Sequence, residues 1–181
     1  MSIRKNILSI ILISIGILIP SFTKYEEYIH EYQEKINIKN FLRDKETPYL
    51  LILDIPKINL TKGIYNINDP NNNIDKNIKI LNYSNLNNNT IFLASHSGTS
   101  NNTYFNDINN LDINDKIYIY YNKNKYTYLI SKIYLIDKTG YLEKSTDIKD
   151  KLILITCSTS QTNKQLILEA TLDNKSKDWY N

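Results

Sequence analysis

The sequence predicts a mostly β domain preceded by a helical N-terminal segment, and three observations carry that reading. Between Leu50 and Leu172 the apolar residues come in short runs rich in Ile, Leu, Tyr and Thr, separated by Asn, Asp, Gly and Pro. Only one short stretch in that interval, Tyr104 to Leu111, suits a helix. Upstream of Pro48 the spacing is helical instead, and the residues from Ile7 to Ile19 carry no charge. About eight short strands with few helices make a compact, largely antiparallel barrel or sandwich.

The strands follow in order. Leu50 to Ile55 is stopped by Pro56, a short strand surrounds Gly63 to Tyr65, and another spans Ile78 to Leu81. Thr90 to Ser95 is an apolar run leading directly into His96, followed by Ser97-Gly98-Thr99-Ser100-Asn101-Asn102, a loop composition. Lys116 to Tyr121 and Lys125 to Leu135 flank the turn Asn122-Lys123-Asn124 and predict a hairpin. Lys151 to Thr156 and Gln165 to Leu172 supply the last two strands. The Asn runs at 71–73 and 87–89 fall in loops and reflect a bias toward Asn, Ile and Lys.

The N-terminal segment divides in two. Arg4 and Lys5 precede the uncharged stretch, which with Pro20, Ser21 and Phe22 approaches the roughly 17 residues at the short end of a membrane span. The flanking positive charges keep the N-terminus cytoplasmic, so the remainder lies outside the cell membrane. A cleaved signal peptide is the competing reading, but no Ala-x-Ala type site follows. The expected organisation is a cytoplasmic tail over 1–6, a single-pass anchor over 7–23 and a helical stalk or linker over 24–47. A globular domain over 48–173 and a polar tail over 174–181 complete the chain. Along the stalk, Tyr25, Tyr28, Ile29, Tyr32 and Ile36 recur at helical spacing, with glutamates mostly on the other side. His30 belongs to that helix and reads as an exposed helix histidine.

With 22 basic and 19 acidic residues spread along 181, no Lys/Arg cluster tracks a phosphate backbone, so nucleic acid is not an expected partner. The chemistry-bearing residues are few. The single cysteine, Cys157, ends the run Leu152-Ile153-Leu154-Ile155-Thr156, and His96 ends an earlier run about 60 residues before it. A lone cysteine is either a small buried filler or a thiol kept for its reactivity. A sulfur nucleophile and an imidazole brought together by the fold are what thiol-based acyl transfer requires.

Four stretches in order resemble the sortase family, the membrane-anchored cysteine transpeptidases of Gram-positive bacteria. Ile153-Leu154-Ile155-Thr156-Cys157 is similar to the family's Thr-Leu-x-Thr-Cys strand end, with Ile153 where threonine is usual. Leu93-Ala94-Ser95-His96-Ser97-Gly98 resembles its histidine segment, and Ile55-Pro56-Lys57-Ile58-Asn59-Leu60 its Ile-Pro-Lys-Ile-x-Leu opening. Phe105-Asn106-Asp107-Ile108 sits where the family has a Phe-x-x-Leu-type helix. The family's arginine, in Arg-x-Val-Val-x-Ala, is replaced in Gln165-Leu166-Ile167-Leu168-Glu169-Ala170 by Gln165.

The resemblance implies a closed or nearly closed eight-stranded barrel with one or two short helices. It implies Cys157 as acyl-thioester nucleophile, His96 as proton donor and acceptor, and Gln165 as a neutral oxyanion or substrate donor. The implied substrates are secreted proteins with a C-terminal Leu-Pro-x-Thr-Gly-like sorting signal. The acceptor is then an amine of a peptidoglycan precursor or a pilin lysine. Between Lys24 and Thr47 there is no proline, hence no Asp-Pro-aromatic lid, and the C-terminal residues are polar, so a cell-wall-anchoring member is expected rather than a pilin-polymerising one. No cofactor is expected. Calcium would need clustered carboxylates, whereas Asp137, Glu143, Asp147 and Asp150 are spread along their loop. Two alternatives stand beside this reading: a catalytically impaired sortase-like surface binding or assembly protein, and a cysteine hydrolase with water as acceptor.

Overall fold

The computed structural model describes residues 2–98, 102–139 and 148–177. Among the described residues one α-helix, α1 (Ser2–Leu42), leads into eight strands: β1 (Tyr49–Ile55), β2 (Leu60–Tyr65), β3 (Lys79–Ile80), β4 (Ile91–Ala94), β5 (Lys116–Tyr121), β6 (Asn124–Asp137), β7 (Lys151–Cys157) and β8 (Lys164–Ser176). They form one sheet in the order β2-β1-β5-β6-β8-β7-β4-β3, whose two edge strands, β2 and β3, come back against each other. The result is the expected mostly β, nearly closed eight-stranded barrel. All strand pairings are antiparallel except one, β4 with β7.

The barrel interior is filled by alternate residues of each strand, as a period of two dictates. Leu51, Leu53 and Ile55 of β1, Ile117 and Ile119 of β5, Leu152 and Leu154 of β7, and Leu166, Leu168 and Ala170 of β8 share one buried cluster. Phe105 and Ile108, wholly buried, plug it from the start and the middle of a short 3-10 turn, Phe105 preceding Asn106–Asn110 and Ile108 within it, which replaces the expected two-turn helix. Tyr128 is also fully buried and satisfies its hydroxyl on the Asn89 carbonyl at 2.8 Å, the partner a buried phenol needs. In β6 a bulge between Ile130 and Lys132 shifts the alternation by one residue. Tyr126, Tyr128 and Ile130 therefore face the interior, while Ile136 packs against the opposite face of the sheet.

That opposite face holds a second, smaller cluster of Phe92, Ala94, Ile153, Ile155 and Ile167, covered by Ile74, Leu81, Ile136 and Ile148. Strands buried on both faces lose the apolar–polar alternation of a half-exposed strand. This is why β7 reads Leu-Ile-Leu-Ile without a break.

Boundaries differ from expectation by a few residues at several element ends, and two of the differences have a specific cause. Helix α1 stops at Leu42, where Asp44 takes a left-handed φ of 57° and the Lys45 amide returns to the Asn40 carbonyl at 3.0 Å. Strand β8 continues to Ser176, into the expected polar tail, because Asn174 and Lys175 pair with Thr127 and Tyr126 of β6 and the Lys175 ammonium covers the Tyr126 ring. The β5–β6 hairpin turns through Asn122 and Lys123, both at positive φ, as a two-residue type I′ connection requires.

The backbone over 7–23 is helical and continuous with the stalk, but apart from Gly16 and Phe22 its side chains lie outside the described residues, and the membrane-anchor expectation lies there with them. Among the described residues no helix is long and apolar enough to cross a membrane. The stalk tyrosines do not pack on the barrel: Tyr25, Tyr28 and Tyr32 are all exposed. Docking of α1 uses its last turns instead, where Glu34 pairs with Lys62 of β2.

Candidate active site

The one parallel pair in the sheet positions the site. Parallel strands leave their C-terminal ends at the same edge, so the residues that follow β4 and end β7 emerge side by side. Ala94 is in register with Ile155, and the pairing runs on past the end of β4, with the Ser95 amide donating to the Ile155 carbonyl at 3.2 Å. Two residues beyond the Ala94–Ile155 pair stand His96 and Cys157. On the other side of β7, Cys157 is directly opposite Gln165 of β8. The three residues singled out in the sequence therefore lie in one row across β4, β7 and β8.

Two of them share a face by strand alternation: Ile155 and Ile167 belong to the outer apolar cluster, and Cys157 and Gln165 are each two residues from them on β7 and β8, while His96 follows Ala94 of the same cluster two residues past the end of β4. That row is half-buried, at the rim of a dry patch. Cys157 is a free thiol, neither sealed in the core nor fully exposed. A buried filler would occupy the position of Leu154; Cys157 does not.

The rim is braced from beneath. Thr156, buried between the two strands, donates its hydroxyl to the Ser95 carbonyl at 2.8 Å, and Ser97 donates to the Cys157 carbonyl at 2.6 Å. These bonds cross from β7 to the histidine segment in both directions. Behind His96 the chain turns at Gly98, whose φ of 135° lies where a side chain is disfavoured. Asn106 closes that turn by accepting from the Gly98 amide at 2.7 Å and donating to its carbonyl at 3.0 Å. The Phe105 amide reaches the His96 carbonyl at 3.4 Å, so the plug residue and the histidine are tied through the backbone.

One group at the site has no counterpart in the sequence reading. Asp75, on the loop between β2 and β3, places Oδ1 3.1 Å from His96 Nε2. The loop looks like Asn-rich filler, yet Asn72 is a buried clip: its amide donates to the carbonyls of Ile67 and Ile80 and accepts from the Ile80 amide. Buried asparagines with all three bonds made hold a loop in one shape.

Gln165 is accompanied by Lys164, whose ammonium pairs with Asp137 at 2.7 Å across the β6–β8 ladder. Alternation turns it away from the thiol. Of the carboxylates considered for calcium, Glu143 and Asp147 lie outside the described residues. Asp137 is held by Lys164, and Asp150 accepts from the Asn89 amide at 2.7 Å. No group of three or more potential metal ligands occurs among the described residues.

A barrel of this topology, with a cysteine and a histidine at the ends of its parallel strand pair, defines the class of protein. The sortase domain family model matches residues 53–173, and the chain belongs to the sortase family. Among solved structures it is similar to sortase A of Listeria monocytogenes, with 21% identity, a TM-score of 0.58, and coverage of 71% of this chain and 90% of that one. It is similar to sortase C-1 of Actinomyces oris at 22% identity and a TM-score of 0.59, covering 70% and 73%. A lid mutant of sortase A from Corynebacterium diphtheriae gives 22% identity, a TM-score of 0.61, and coverage of 73% and 74%. These likenesses are of fold. No curated protein matches the chain.

Proposed function

We propose that this sortase is a cysteine transpeptidase that cleaves a Leu-Pro-x-Thr-Gly-like sorting signal near the C-terminus of secreted proteins. The observation that supports this most is that Cys157 and Gln165 are direct partners on β7 and β8 and that His96 leaves the parallel neighbour β4 level with Cys157, at the rim of an apolar patch.

In the first half-reaction the Cys157 thiolate attacks the scissile carbonyl carbon. The thiol proton passes to His96, and the carbonyl becomes a tetrahedral oxyanion. Gln165, through its side-chain amide, donates a hydrogen bond to that oxyanion. Collapse breaks the C–N bond as His96 protonates the leaving amine, and a thioester to Cys157 remains. In the second half-reaction an amine, from a peptidoglycan precursor or a pilin lysine, attacks the thioester and gives its proton to His96. A new amide forms and the thiol is restored. Neither step calls for a metal or cofactor, and calcium is expected to have no effect.

The segment over 7–23 serves as a single-pass anchor in the cell membrane, with the N-terminus cytoplasmic and the barrel extracellular. That placement meets clients as they leave the membrane. Cell-wall anchoring is the favoured role over pilin polymerisation, since the stalk carries no proline-bearing lid motif.

The test is intact mass spectrometry of the full chain in detergent with a pool of Leu-Pro-x-Thr-Gly-like peptides, beside Cys157→Ala. The expected result is a mass increase equal to a peptide's N-terminal fragment, absent in the variant and discharged by an added amine. No adduct with any peptide overturns the transpeptidase reading. One observation, the neutral Gln165, favours a second: a catalytically impaired surface protein that binds clients without joining them. Discharge by water alone, with no amine product, marks a hydrolase.

A further inference from the structure

The short loop segment from Asn73 to Asn77 is built to hold a carboxylate against the catalytic histidine. Asp75 is exposed, so its side chain alone would wander, but the backbone around it is fixed on several sides. Its amide donates to Asn73 Oδ1 at 2.9 Å, and the amides of Lys76 and Asn77 return to the Asn73 carbonyl at 3.1 and 2.8 Å. Ile74, the neighbouring residue, packs on the outer apolar cluster. From the far side, Asn102 donates to the Asp75 carbonyl at 3.0 Å and the Tyr104 hydroxyl to the Lys76 carbonyl at 3.2 Å. Asn102 and Tyr104 belong to the segment that leaves His96, so the loop that carries the imidazole also grips the loop that carries the carboxylate.

We propose that Asp75 is the positioning residue of this site, acting through His96. The carboxylate accepts from Nε2–H and fixes the plane of the ring, which leaves Nδ1 as the nitrogen that takes the thiol proton. When that proton moves from Cys157 Sγ to Nδ1, the ring becomes a cation whose charge Asp75 offsets; Asp75 neither gains nor loses a proton. The other neighbour in the row, Gln165, puts no charge into the site, so this carboxylate is not neutralised by a guanidinium. The inference rests on the reading of His96 as the proton acceptor for Cys157.

The cysteine is the only one in the chain, so its reaction with iodoacetamide at one fixed pH reports the thiolate directly and needs no peptide substrate. The experiment compares Asp75→Asn and Asp75→Ala, in the full chain in detergent, with and without His96→Ala. An exposed ion pair is worth up to about a fivefold effect, and the expected result is a three- to fivefold slower alkylation for both variants when His96 is present. Asp75→Glu regains most of the rate. In the His96→Ala background the same substitutions change nothing, a non-additivity that a merely structural role would not produce. An unchanged rate in Asp75→Asn, or an equal slowing without His96, overturns the proposal. A chain that alkylates as expected yet forms no acyl-enzyme upholds the proposal for Asp75 while sinking the transpeptidase reading.

Discussion

Cys157 and Gln165 are direct partners in the antiparallel ladder of β7 and β8, so the residue at the family's arginine position faces the thiol without any intervening loop. The two residues are neighbours and Gln165 brings no charge. A neutral amide hydrogen bond contributes about 0.5–1.5 kcal/mol and one involving an ion about 1.5–3. Gln165→Arg should therefore lower the acylation barrier by about 1 kcal/mol, roughly a fivefold gain in the rate of acyl-enzyme formation. Gln165→Ala removes a donor and is expected to slow the same step by about tenfold or more. Quench-flow mass spectrometry of the acyl-enzyme measures both, and a Gln165→Arg rate equal to or below wild type would contradict the assignment.

Thr156 tests whether the brace beneath the thiol matters. Thr156→Val keeps the shape but leaves the buried Ser95 carbonyl without its 2.8 Å donor. An unsatisfied buried acceptor costs about 1–3 kcal/mol. The unfolding free energy from urea titration should fall by that amount, read as a lower midpoint with an unchanged slope, and acylation should slow because β4 and β7 lose their registration at the rim. Full stability in the variant would show that the strands are held without this bond.

Gly63 is in β2 for reasons of space. A Cβ there would lie 2.3 Å from the ring of Tyr49, which stacks edge-on against Tyr65 at 5.2 Å. Gly63→Ala must displace that ring from a close-packed site, and overpacking of this kind costs about 1–3 kcal/mol. In a Tyr49→Leu background the same substitution should cost less. Additive losses in the double variant, read from denaturant unfolding, would count against the steric explanation.

How much of this was legible depends on the range of the cause. The strands, and His96 and Cys157 as candidates, were legible because period, turn residues and the apolar runs before the two residues are local signals, whereas Gln165 stood out only through the resemblance to the family's arginine motif. The length of β8 was not, since Asn174 and Lys175 look like tail and become strand only through pairing with Tyr126 and Thr127. The outer cluster was hidden for a similar reason, as the bulge after Ile130 changes which residues of β6 face it. Asp75 was least visible of all. Nothing in Asn-Asn-Asn-Ile-Asp-Lys-Asn distinguishes it from its neighbours, and its place beside His96 comes from the Asn73 turn, Ile74 and Asn102 acting together.

Lys57, in the Ile-Pro-Lys-Ile opening, offers a prediction in pH. Its ammonium bridges Asp112 at 2.6 Å and Asp115 at 2.7 Å, tying the turn after β1 to the segment before β5. Asp115 is held below the usual carboxylate range, first by the Asp112 backbone amide it accepts from and then by Lys57. Lys57 is held above the usual ammonium range by its hydrogen bonds to Asp112 and then Asp115. A carboxyl with a lowered folded-state value stabilises above its unfolded value, about 3.9, and that contribution is lost as pH falls through the folded one. An ammonium with a raised value stabilises fully below about 10.4 and loses its contribution as pH rises through the folded one. The contribution of this cluster to stability should thus be flat between these limits and fall at both ends. In Asp115→Asn the plateau above about pH 4 drops and the acid limb below it becomes shallower, so the two curves converge at low pH. Lys57→Met should remove the alkaline limb's share and part of the acid one, because Asp115 loses the cation that helps hold its carboxyl low. Thermal melting of the wild type and the two variants across that pH range decides it, and an acid limb of identical slope in Asp115→Asn would assign acid lability to other carboxylates.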